Sequence, residues 1–139
     1  MSRNRAKKIR KFRKSAFSQQ AGRCYYCNQP MWLSEPGQYS AQYNLRIREV
    51  SPFQCTAEHL LAREDGGGDE SANIVAACLF CNRRRHARAK PLCPERYKAL
   101  VTQRVLGRRW QGARVLRKLG EGCGHGDTHR TTCFVVEEM

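Results

Sequence analysis

Apolar residues recur at Phe12, Ala16, Phe17 and Ala21, a spacing that lines them along one side of a helix, and Gly22 follows as a stop. The helix predicted over residues 12–21 leads directly into Cys24-Tyr25-Tyr26-Cys27. Ahead of it, residues 2–14 carry eight Lys or Arg, with Ile9 and Phe12 the only large apolar groups. That stretch is expected to remain a mobile arm until it meets phosphate. Farther along, Pro36-Gly37 reads as a turn, and the alternation of Tyr43, Leu45 and Ile47 reads as a strand. FQCTAEHLL over residues 53–61 suits a strand with a polar end, EDGGGD signals a turn, and Ile74-Val75-Ala76-Ala77 supplies the return strand of a hairpin. Cys78-Leu79-Phe80-Cys81 comes next, then a basic helix from Asn82 to Lys90, ended by Pro91, which disfavours helical geometry in the residue before it. Leu100, Val101, Val105 and Leu106 predict one further helix, and the glycine-rich stretch from Gly120 reads as irregular. No internal repeat is visible. Strand, turn, strand and helix, flanked by more helix, make this a small α+β chain.

A chain of 139 residues has room for one compact domain plus an arm or tail, with a core that leaves a place for a covalent or metal staple. Eight cysteines could supply it. The opening MSRNRAKKIRKFRK has no apolar signal-peptide core, and no segment approaches the ~18 apolar residues of a membrane span. The expectation is therefore a soluble cytoplasmic protein with reduced thiols and no membrane partner. The net charge of +14 points to a polyanionic partner. Its distribution is uneven: residues 1–50 carry eleven basic against two acidic residues, 51–90 six against five, and 91–139 nine against five. Acids gathered at the centre of a phosphate-binding chain repel the ligand unless some of them hold a cation.

Two pairs of identical spacing, Cys24/Cys27 and Cys78/Cys81, suit tetrahedral Zn²⁺, because two intervening residues let a tight turn aim both sulfurs at one ion. A shell of four thiolates leaves no open position, so such a site is structural. Fifty residues separate the pairs, so the metal would clamp distant parts of the chain around an inserted unit. Cys55 and Cys93 fit buried apolar positions better than ligands. Cys123, His125, His129 and Cys133 have an unusual spacing and read as a tail rather than a second site.

Between the pairs lie Glu58-His59 at a predicted strand end and Asn73 after the glycine turn, and Asn82 stands directly behind the last cysteine. This order, over residues 24–85, resembles the zinc-containing branch of the HNH endonuclease family. The resemblance implies a ββα-metal finger that hydrolyses DNA, with RNA as an alternative, to 3′-hydroxyl and 5′-phosphate ends. It implies His59 as general base, Glu58 and Asn82 as ligands of a catalytic divalent ion, and Asn73 as a bridge across the loop that fixes the histidine. The family more often has Asp before the histidine and His at the third motif position. With Asn82 there, Mg²⁺ or Mn²⁺ becomes the expected ion, since an amide oxygen suits hard cations. His86, one helical turn beyond Asn82, is a further candidate ligand or phosphate contact, with Asn82 expected to matter more.

Arg63, Arg83, Arg84, Arg85 and Arg88, with Lys7, Lys8, Arg10 and Lys11 of the arm, are the candidate nucleic-acid contacts. The expected organisation is a basic arm at 1–14, a nuclease domain with its zinc site at 15–92, and a helical extension and tail at 93–139. The competing class is a zinc module that binds nucleic acid without cutting it. Glu58-His59 with Asn82 argues against it, since pure binding gives no reason to set an ion-binding acid beside a histidine.

Overall fold

Two short strands, β1 (Cys55–His59) and β2 (Ile74–Cys78), pair antiparallel, with Cys55 opposite Cys78 and His59 opposite Ile74. The computed structural model describes residues 1–122; among them this hairpin is the only sheet and the rest is helix and loop, a small α+β architecture. No helix among the described residues is long and apolar enough to cross a membrane. The tail residues Cys123, His125, His129 and Cys133 lie outside the described residues.

The N-terminal segment differs from its expectation. Helix α1 spans Arg3–Gln19 without interruption through the predicted arm boundary at residue 14. Ser2 caps it by accepting from the Arg5 backbone N–H at 3.2 Å. Long-range partners hold it against the hairpin: Arg5 pairs with Asp69, and the Gln20 side chain bonds both the N–H and the C=O of Ala76 at 2.9 and 2.8 Å. Gln20 thus acts as a one-residue extension of the sheet edge, satisfying groups that an edge strand leaves open.

The predicted strand around Tyr43–Ile47 is instead the connection between two helices. Pro36, expected in a turn, is the first residue of α2 (Pro36–Tyr43), where a missing N–H costs nothing. Tyr39 and Tyr43, four residues apart, bury one face of α2 in a second core with Leu45, Val50, Phe53 and Leu119. Asn44, at φ 50°, caps α2 in the left-handed conformation and turns the chain into the single-turn α3 (Ile47–Val50).

Helix α4 spans Leu79–His86 rather than 82–90. It begins early because the Cys78 thiol serves as its N-cap, accepting from the Cys81 N–H at 3.4 Å. The single helix predicted beyond Pro94 is two, α5 (Pro94–Leu106) and α6 (Ala113–Glu121), separated where Arg108 and Gly112 take φ of 55° and 91°. Tyr97, Val101 and Trp110 enter the same core as the four motif cysteines, so the predicted extension is part of one folded body with them. Cys55 is buried as expected, whereas Cys93 is exposed at the start of α5.

Candidate active site on the hairpin and helix

Cys24, Cys27, Cys78 and Cys81 are buried, and their sulfurs all lie within 4.8 Å of one another. The Cys27 and Cys78 sulfurs are 3.8 Å apart. Backbone N–H groups of Tyr26 and Cys78 donate to the Cys24 sulfur at 3.4 and 3.3 Å, and the Trp110 indole N–H donates to Cys81 at 3.2 Å. Burial opposes ionisation of Cys24, but hydrogen bonds from the other three thiols hold it well below its ordinary value. Its neighbours Cys78, through those same bonds, and Cys81, chiefly through burial, are pushed up. Four sulfurs this close ionise together only around a cation, which makes the cluster suited to a structural metal.

Side chains alternate along a strand. Thr56 and Glu58 therefore face α4, where the Asn82 amide donates to Thr56 Oγ1 at 2.9 Å and to the Ala57 carbonyl at 3.3 Å. Glu58 is only 1% exposed. Its Oε1 accepts from Arg85 and, at 3.1 Å, from the Tyr26 hydroxyl, while His86 Nε2 lies 3.1 Å from both oxygens. Burial pushes the Tyr26 hydroxyl far up, so it remains a donor. Arg85, expected to reach phosphate, is instead 4% exposed. Besides Glu58 it bonds the carbonyls of His59, Leu60 and Leu92 at 3.2, 3.1 and 3.2 Å, tying the strand end to the segment after α4.

His59 points the other way, toward the loop that follows it. Its Nε2 lies 2.8 Å from Asp69 Oδ1. Asp69 in turn takes two bonds from Arg5, which with the His59 contact holds its carboxyl well below the usual carboxylate range. As a carboxylate it can only accept, so Nε2 of His59 carries the hydrogen of this bond. Asn73 spans the loop: its Oδ1 accepts from the Leu61 N–H at 2.8 Å and its Nδ2 donates to the Leu61 and Gly68 carbonyls at 3.0 Å. Gly67 makes this loop possible, because a Cβ there would stand 1.9 Å from the Leu61 carbonyl oxygen.

Ala57, Glu58, His59, Ala62, Arg63, Glu64, Asn82 and His86 line an open cleft of about 390 Å³. Arg63 is half exposed at its rim, 4.0 Å from Asp69. Lys7, Lys8, Arg10 and Lys11 are exposed on the outer side of α1, and Arg83, Arg84 and Arg88 are exposed on or just beyond α4. Sequence reasoning missed Asp69, read only as part of a turn, and Arg5, read only as arm charge. An acid placed just beyond a glycine run was the one available signal.

Comparison of the chain with curated proteins and with solved structures finds no match. Residues 46–88, which hold the hairpin, α4 and every residue lining the cleft, match the model of the HNH endonuclease family.

Proposed function

We propose that this protein is a metal-dependent HNH endonuclease that hydrolyses phosphodiester bonds of DNA, built as a ββα-metal finger of β1, β2 and α4 around a structural Zn²⁺. The observation that carries this reading is the convergence of Glu58, His59, Asn82 and His86 on one open cleft within the family-matched segment. The cysteine cluster fits zinc: sulfurs at the corners of a tetrahedron with ~2.3 Å bonds lie about 3.8 Å apart, the separation of Cys27 and Cys78.

The cleft also fits one hard divalent ion, Mg²⁺ or Mn²⁺. Neighbouring ligands of an octahedral ion with ~2.1 Å bonds are about 3.0 Å apart, and Glu58 Oε2 lies 3.1 Å from His86 Nε2. Among the described residues Oε2 has no other partner, and the Asn82 Oδ1 accepts no hydrogen bond. Glu58 and His86 would hold the ion, with Asn82 beside them. When bound, the ion supplies positive charge to a phosphoryl oxygen and to the leaving oxygen.

The remaining chemistry belongs to the chain. Asp69 accepts from His59 Nε2, which leaves Nδ1 to take a proton from water as that water attacks phosphorus. The bond to the 3′ oxygen breaks, giving 3′-hydroxyl and 5′-phosphate ends. Asn73 keeps the loop from sliding, and Arg63 meets the phosphate at the rim. The exposed lysines and arginines of α1 and α4 bring the polyanion to the cleft.

The test is cleavage of plasmid DNA in Mg²⁺ or Mn²⁺, with duplex binding followed in parallel. His59→Ala is expected to lose at least ~10²-fold in rate, the usual contribution of a general base, while still binding DNA. Wild-type protein that binds duplex yet leaves it intact in both ions would instead be a non-catalytic zinc module.

A further inference from the structure

On the side of α4 turned away from the cleft, three arginines line one cavity of about 240 Å³. Arg84 and Arg88 come from α4 and the turn after it, Arg104 comes from α5, and Tyr97, Leu100 and Trp110 complete most of the wall. Two residues along a helix is a rotation of about 200°, so Arg84 stands opposite Asn82, which lines the cleft. No carboxylate lines the cavity, and none of the three arginines makes an ion pair among the described residues.

Two of the arginines, Arg84 and Arg104, also lie against aromatic rings. The Arg84 guanidinium carbon lies 4.5 Å from the Phe80 ring centre and 5.5 Å from that of Trp110, and the Arg104 carbon lies 5.9 Å from the same Trp110 ring. Trp110 is fixed by its indole bond to Cys81 and by edge contacts with Phe80 and Tyr97. A stacked guanidinium uses its face and keeps its N–H edge free, which is the edge that grips phosphate in pairs of bonds. With no acid in the cavity wall, the charges of Arg84, Arg88 and Arg104 repel one another in the free protein. An anion between them relieves that repulsion.

We propose that Arg84, Arg88 and Arg104 form a phosphate-binding pocket occupied by one backbone phosphate of a bound nucleic acid. This makes α5 a binding element as well as a structural support. The pocket stands independently of whether the cleft cuts, and its test uses binding alone.

Affinity for a mixed-sequence duplex, without added divalent ion, is measured over a range of salt for wild type, R84Q/R88Q/R104Q and the exposed single-charge control Arg48→Gln. Each neutralised phosphate contributes ~0.9 to the slope of log affinity against log salt. Three arginines on a single phosphate should therefore flatten the slope by about one unit in the triple variant. A fall of roughly three units would mean three separate surface contacts, and an unchanged slope would mean no nucleic-acid contact; either overturns the proposal. R88Q/R104Q, which leaves Arg84 stacked on Phe80, carries the test if the triple variant does not fold. Inorganic phosphate, followed by ³¹P line broadening, distinguishes the source: broadening lost in R88Q/R104Q, beside an unchanged duplex slope, would assign the pocket to a small phosphate and overturn the nucleic-acid occupant.

Discussion

A carboxylate taken out of water is tolerated only with partners, and Glu58 has three: Arg85, His86 and Tyr26. With Glu58 at 1% and Arg85 at 4% exposure, removing the arginine leaves a buried charge unopposed. Arg85→Ala should cost about 3–5 kcal/mol, read by urea unfolding, whereas truncating its exposed neighbour Arg83 should change stability little. Asp69 acts on the residue after Glu58 in the same strand, His59. Asp69→Ala should slow cleavage by about 10²-fold, the scale of a misplaced catalytic group, without weakening DNA binding; unchanged rates would remove Asp69 from the mechanism. The resemblance to the HNH family made Glu58, His59, Asn73 and Asn82 legible as a group, and helical spacing from Asn82 added His86. It could not show that Arg85 turns inward, because its partners are fixed only when the strand end folds over α4. Nor could it show that the amide nitrogen of Asn82 bonds Thr56 and Ala57 while the His86 ring meets Glu58.

Among the elements, the hairpin was readable because its pattern is local, with apolar runs on either side of a glycine turn. Helix α1 was readable only from Phe12 onward. Its first turns depend on Arg5 meeting Asp69, sixty-four residues away, a contact no periodicity encodes. The short α3 depends on charge in a similar way. Glu49 bonds Arg46 in its own turn and Arg114 on α6, so one carboxylate joins two helices. The Arg46 side chain, then its backbone N–H and Arg114, hold that carboxyl down to about 2. Because this lies below the unfolded value of ~4.3, the native state binds fewer protons between the two. Its stabilisation is complete above ~4.3 and is lost as pH falls toward about 2. Thermal unfolding should accordingly separate wild type from Glu49→Gln at neutral pH, and the gap should close across that acid window. A gap independent of pH would mean that Glu49 acts by packing rather than charge.

For the whole molecule, the cysteine cluster joins elements that lie far apart along the chain. Cys24 and Cys27 follow α1, Cys78 and Cys81 join β2 to α4, and Trp110 reaches the cluster from beyond α5. Binding to a structural zinc site is worth about 10–16 kcal/mol, against ~5–15 kcal/mol for the stability of a typical domain. Chelation should thus unfold the protein, followed by loss of protection from hydrogen exchange, and metal analysis should find zinc in the folded form. A chelated protein that keeps its fold would remove the metal from the stability argument. The separation of the two cysteine pairs also has a consequence for synthesis. Cys27 and Cys78 are 51 residues apart, and ribosomes add ~5–20 residues each second. The first pair therefore waits some ~3–10 s for the second, as an exposed dithiol that metal chaperones or oxidants can reach. During that interval the nascent chain has neither β2 nor α4, so the cleft cannot form until both have been made.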